Sequence, residues 1–298
     1  MLKRIALAAL SMALLTGTAL AQFTTTNAGP VHSAGDEGDP NNGVFTSTYT
    51  GVSSIYSSIH FSGDLTAVIP ATWSSEATFG IRQTTALGGL TDLYLTPSDG
   101  GTWTGTLPLS FDANALFWFN NGAEYRFEAL EDYDDGEGAD ATWTNLEFTF
   151  SDAVTTTNIG SFMAGTPLVF DTIGSPGDID TELAAYTSTG TLLDLNDDID
   201  TAGENYLSLM DLGTLPEGTY NIILGTWDSD FYDGFALPGG GSGSFVVNVN
   251  GTQISSGNLE ANKFHVLTFN IVSAPEPGTL ALLGLVALPG AALLRRRK

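Results

Sequence analysis

Between residues 23 and 274 apolar side chains fall mostly at every second position, and no long stretch carries a helical period. Tyr125 and Phe127 alternate with Arg126 and Glu128, and Leu146, Phe148 and Phe150 with Glu147 and Thr149. Phe245, Val247 and Val249 share one parity, as do Leu267, Phe269 and Ile271. Such alternation in Thr-, Val- and Phe-rich runs predicts strands with one buried face. Gly, Asn, Asp and Pro clusters separate them, among them Ser98-Asp99-Gly100-Gly101 and Leu215-Pro216-Glu217-Gly218. Many short strands with frequent turns predict an all-β chain of antiparallel sandwiches.

An internal echo divides this body. Glu124-Tyr125-Arg126-Phe127-Glu128-Ala129 leads into Asp132-Tyr133-Asp134-Asp135-Gly136, and Thr219-Tyr220-Asn221-Ile222-Ile223-Leu224 leads into Asp228-Ser229-Asp230-Phe231-Tyr232-Asp233-Gly234. From Tyr125 to Tyr220 is 95 residues, about the length of one sandwich. Two tandem jelly-roll-like β-sandwiches, 22–150 and 151–274, are therefore expected, with Thr155-Thr156-Thr157 breaking the pattern near the boundary.

Both ends depart from alternation. Lys3-Arg4, an apolar run from Ile5 to Leu15 and Ala19-Leu20-Ala21 form the basic, apolar and small-residue parts of a secretory leader, residues 1–21, cut after Ala21 by signal peptidase. At the far end Pro275-Glu276-Pro277-Gly278 precedes an almost purely apolar stretch, Thr279 to Leu294, and then Arg295-Arg296-Arg297-Lys298. The prolines stop regular structure, the apolar stretch favours a helix, and four terminal cations act as stop-transfer charges. This arrangement resembles the PEP-CTERM sorting signal, matched over residues 275–298. The resemblance implies recognition of the tripeptide by an exosortase-type membrane protease. It also implies an inner-membrane-anchored precursor that later reaches the cell surface, extracellular matrix or biofilm, touching the membrane only through the C-terminal helix. An ordinary anchor without processing is the alternative.

Charge narrows the partners. Six of the nine Lys and Arg lie in the two end segments, leaving Arg82, Arg126 and Lys263 against 33 carboxylates, a formal −30 for the body. Such a surface repels nucleic-acid phosphates and attracts divalent cations. The chain has no cysteine, which removes disulfides, thiol catalysis and cysteine-bound metals.

The second half also resembles a known module. Asp178-Ile179-Asp180-Thr181-Glu182-Leu183, Gly190-Thr191-Leu192, Asn196-Asp197-Asp198, Gly218-Thr219-Tyr220 and Gly243-Ser244-Phe245 follow the order of the bacterial pre-peptidase C-terminal domain over about residues 160–250. The resemblance implies a jelly-roll-like, mostly non-catalytic sandwich, some of whose members resemble calcium-binding modules.

Acidic clusters are the main candidates for chemistry: Asp178 and Asp180; Asp194, Asn196, Asp197, Asp198 and Asp200; Asp228, Asp230 and Asp233; and Asp132, Asp134, Asp135, Glu137 and Asp140. Calcium takes six to eight hard oxygens, which alternating acids on a turn can supply in part. The metal candidates are Asp178, Asp180, Asp194, Asn196, Asp198, Asp200, Asp228, Asp230 and Asp233. Asp194-x-Asn196-x-Asp198 begins like an EF-hand loop, but Ile199 replaces its glycine and no Glu closes it. Solvated Asx turns are the alternative reading of every cluster. The tryptophans at 73, 103, 118, 143 and 227 are either a stacking platform for polysaccharide or core, Trp118 within Leu116-Phe117-Trp118-Phe119 reading as core. His32, His60 and His265 form no catalytic motif, and the acids are too numerous to single out a hydrolytic pair. The expectation is a non-enzymatic structural or adhesive surface protein. Its rivals are a calcium- or carbohydrate-binding module and, more remotely, a cryptic hydrolase.

Overall fold

The computed structural model describes residues 22–68, 73–84, 93–98, 100–131, 139–176, 179–199 and 206–273. Every regular element among them is a strand, as the alternation predicts. The predicted leader and C-terminal helix lie outside the described residues, as do Asp178, Asp200 and the acidic run from Asp132 to Glu137.

The first half supplies β1 (Phe23–Asn27), β2 (Val31–Ser33), β3 (Val44–Thr48), β4 (Ser54–Ala67), β5 (Ala77–Gln83), β6 (Leu93–Leu95), β7 (Thr106–Phe119), β8 (Glu124–Glu131) and β9 (Ala141–Ala153). One antiparallel sheet runs β1-β9-β4-β7, with β2 also on β9, and a second runs β3-β8-β5-β6. Their inward residues share one core dominated by aromatic rings. Ring centroids lie 5.0 Å apart for Phe61 and Phe148, 5.0 Å for Phe79 and Trp143, and 4.4 Å for Phe119 and Tyr125. Each fully buried ring contributes about 1.5–3 kcal/mol, which lets the half cohere without disulfides. Parity changes once along β4. Tyr56 is buried at an even position, whereas Ile59, Phe61 and Leu65 are buried at odd ones. The pairing with β7 shifts at the same place, Tyr56 opposite Phe117 but Ser58 opposite Asn114, so β7 carries one extra residue where the buried parity of β4 changes.

The acidic loop before β3 is held from inside. Asn42 Oδ1 accepts the N–H groups of Ala34 (3.1 Å) and Gly35 (3.2 Å), while its amide donates to Glu128 Oε1 at 3.1 Å. Two of the body's three cations serve this loop and its support: Arg82 pairs with Glu37 at 2.6 Å, and Arg126 with Glu128. Burial would push the Glu128 carboxyl up, but Arg126, the Gly38 N–H and Asn42 together hold it below its ordinary value.

The second half supplies β10 (Thr157–Met163), β11 (Leu168–Asp171), β12 (Thr181–Thr187), β13 (Leu192–Asn196), β14 (Leu209–Gly213), β15 (Gly218–Thr226), β16 (Asp230–Tyr232), β17 (Phe235–Leu237), β18 (Gly243–Val249), β19 (Thr252–Leu259) and β20 (His265–Val272). A third sheet runs β10-β20-β15-β12-β13 and a fourth β14-β11-β18-β19. All their pairings are antiparallel except β10 with β20. Leu183, Ile222, Leu224, Phe245, Val247 and Phe269 help fill the core these two sheets share. The echoed tyrosines occupy equivalent inner strands. β8, carrying Tyr125, lies between β3 and β5, and β15, carrying Tyr220, between β12 and β20. Each hydroxyl ties back to the chain, Tyr125 to the Trp118 carbonyl (3.1 Å) and Tyr220 to the Pro216 carbonyl (2.9 Å).

The hairpin β16–β17 belongs to the second half in sequence and to the first in space. β17 pairs with β7, Phe235 opposite Phe117 and Ala236 opposite Leu116, so it extends the first sheet. Behind it a third apolar cluster joins Leu116 and Trp118 to Ala184, Tyr186, Ile223, Ala236 and Val266. Trp118 stacks on Tyr186 with centroids 4.5 Å apart. Gly190 (φ +93°) is required beside it, because a Cβ there would lie 2.8 Å from Trp118 Cγ.

Candidate metal centre

Strands β12 and β13 are antiparallel neighbours, Leu183 opposite Asn196, so the start of one lies beside the end of the other. That register brings Asp180, just before β12, to Asp197 and Asp198, just after β13. One carboxylate oxygen from each lies within 4.8 Å of the other two. Asp180 Oδ1 and Asp198 Oδ1 are both shut off from solvent with no hydrogen-bond partner among the described residues. Buried carboxylate oxygens left in that state are costly unless a cation or proton meets them.

Glu182 stands beside this group. It shares strand parity with Ala184 and Tyr186, and only 6% of it is exposed. Its two oxygens accept the N–H groups of Asp228 and Ser229, each at 3.0 Å, and so anchor the turn that enters the β16–β17 hairpin. Burial, the Asp197 charge and the Asp180 charge outweigh those two donors and push Glu182 up to about 8. Burial, followed by Asp197 and Asp198, raises Asp180 to about 6. Asp197 is raised as well, by burial and by Asp198. Like charges crowded in a partly dry place hold protons that isolated carboxylates would lose.

Compared with models of known protein families and with curated proteins, the sequence matches none.

The donors are all hard oxygens, which suits calcium or magnesium and not a soft metal. Three carboxylates would fill part of a calcium shell, leaving the remaining places to backbone carbonyls and water. Beside the cluster, a cavity of about 250 Å³ is lined by Glu182, Asn196, Asp197, Asp230, Phe231 and Tyr232.

Of the acids singled out in the sequence, the structure brings together Asp180 and Asp198, with Asp197. Among the other described candidates, three side chains accept backbone N–H groups. Asn196 Oδ1 accepts the Leu209 N–H (2.7 Å), Asp194 Oδ1 the Leu195 N–H (3.0 Å) and Asp233 Oδ1 the Leu192 N–H (2.8 Å). Asp228 is a turn residue at φ +71°, and Asp230 opens β16. Asp197 falls out of an alternating-ligand rule because it sits between Asn196 and Asp198. Glu182 is missed because it lies on a strand; an acid on the same parity as Ala184 and Tyr186 was the available signal.

The tryptophans divide. Trp118 and Trp143 are fully buried, Trp143 donating from Nε1 to Ser33 Oγ at 3.1 Å, and Trp103 packs against the first core. Trp73 and Trp227 are 50% and 62% exposed. His32, His60 and His265 bond separately to Thr142, Asp112 and Ser255.

Proposed function

We propose that this chain is an exported, non-enzymatic structural or adhesive protein of the cell envelope or extracellular matrix, whose second half is fastened by calcium. On this reading it folds as two tandem jelly-roll-like sandwiches, is cut after Ala21, and is sorted through Pro275–Gly278 by an exosortase-type protease. The leader-like start and the PEP-type tail support the destination. The cation rests on one observation: three converging carboxylates at Asp180, Asp197 and Asp198, two of them with solvent-excluded, unpartnered oxygens. Calcium there would neutralise the mutual repulsion, and the Asp228–Ser229 turn held by Glu182 would be steadied with it.

Calorimetric titration with calcium tests this. The expected result is binding that Asp197→Asn removes. The same substitution should raise the melting temperature measured in EGTA, because it deletes the charge that presses on both Asp180 and Glu182. Unchanged affinity in the variant would sink the assignment.

A carbohydrate-binding reading is favoured by one further observation. The Trp227 backbone N–H donates to the Asp180 carbonyl at 3.2 Å, so this half-exposed tryptophan belongs to the segment that adjoins Asp180. An exposed indole on a segment next to a cation site suits a sugar face together with its hydroxyls. Retardation in an acidic-polysaccharide gel that needs calcium, and that Trp227→Ala abolishes, is the expected outcome. Retardation unaffected by the substitution would count against it.

A further inference from the structure

We infer that the mature chain begins with a five-membered lactam ring made from Gln22 (a 5-oxoproline) in place of a free amine. The inference rests on the proposed removal of the leader after Ala21, which makes Gln22 the first residue. An N-terminal glutamine places its own amine within reach of its side-chain amide carbon, and ring closure then depends on what restrains that residue.

In this fold the restraint begins one residue later. The β1–β9 ladder starts at Phe23 opposite Phe150, so Gln22 lies just outside it. Phe23 is locked by its ring, whose centroid lies 4.9 Å from Phe119, 5.3 Å from Tyr49 and 6.0 Å from Phe150. Gln22 itself is exposed, and its amide donates only locally, to Thr24 Oγ1 at 3.2 Å. Closing the ring needs rotation about Gln22's own bonds alone and disturbs no strand.

The step balances internally. The neutral α-amine attacks Cδ, the N–Cδ bond forms and the Cδ–Nε2 bond breaks. The proton lost by the amine leaves on Nε2 as ammonia, and nothing is oxidised or reduced. The surroundings favour the product. Gln22 and Phe23 line a cavity of about 370 Å³ with Tyr49, Val52 and Tyr56. The ring replaces a charged ammonium beside that lining with a neutral amide. The product also lacks the free amine that aminopeptidases require, which protects Phe23, a plug of the first core.

The test is to export the full chain and take the mass of its N-terminal peptide, with a Gln22→Asn variant alongside. Asparagine cannot close this five-membered ring through its amine. The expected peptide starts at residue 22 and is one ammonia lighter than unmodified sequence. Stepwise N-terminal sequencing should stay blocked until pyroglutamyl peptidase exposes Phe23-Thr24-Thr25, whereas the variant should sequence directly. A peptide that starts at Gln22 with a free amine overturns this inference and leaves the leader assignment standing. A start at any other residue overturns both.

Discussion

At pH 8, calcium at a hundredfold excess over its dissociation constant should raise the melting temperature by about 5–10 °C above that in EGTA, and at pH 5 by much less. A ligand at that excess stabilises the native state by about 2.7 kcal/mol, and each kcal/mol moves a chain of this size by about 2–4 °C. The pH dependence follows from the direction of the carboxylate shifts. Asp180 rises from 3.8 to about 6 and Glu182 from 4.5 to about 8 on folding. A raised carboxylate contributes stability in full below its unfolded value and loses it as pH climbs through the folded value. Without metal, stability in this region therefore falls from about pH 4 to pH 8, as the unfolded chain gives up protons that the fold still holds. A cation reverses the preference by favouring the charged forms, so its effect grows over the same window. Fluorescence-monitored melting at fixed ionic strength, with magnesium as control, makes the comparison. An equal calcium effect at both pH values, or an equal effect of magnesium, would contradict a calcium site at Asp180, Asp197 and Asp198.

Trp118→Ala should cost about 3–5 kcal/mol, the usual range for truncating a buried tryptophan, and should divide one unfolding transition into two. The argument lies in the junction. Trp118 leaves β7 on the face away from the first core, stacks on Tyr186 of β12 and lies against Gly190. The Trp118 N–H donates to the Gly234 carbonyl at 3.0 Å, and the Gly234 N–H to the Gly190 carbonyl at 2.8 Å, so three segments meet there. With β17 paired to β7, the halves share both a sheet and an apolar cluster. Calorimetry of the wild type should show a single cooperative transition. Truncation empties the cluster but leaves the other two cores filled, so each half should then melt at its own temperature. Two transitions in the wild type, or a cost below about 1 kcal/mol for the variant, would mean the halves are independent.

The acidic centre was half legible in the sequence. Asp180 and Asp198 stand out as loop acids, yet nothing local links positions 180 and 197. Their meeting depends on β12 and β13 pairing with Leu183 opposite Asn196. Among the other described acids that stood out, Asp194 and Asp233 accept backbone N–H groups, a role that any Asp in a turn can fill.

Alternation alone determined that this chain is built of strands, which residues face inward, and where many of its turns fall, because a strand's side-chain period of two is a local property. Charge bookkeeping determined the body's −30 and so the class of partner it repels. What only the tertiary structure decided lies where a second surface covers a sheet. Leu116-Phe117-Trp118-Phe119, Ala184-Ala185-Tyr186 and Ile222-Ile223-Leu224 are buried on both parities, because the third cluster lies behind the first and third sheets. The path of β16–β17 into the other half's sheet was equally invisible in the sequence. A hairpin's own residues state that it pairs, but the choice among free edges depends on which edge is near and which apolar face it can close.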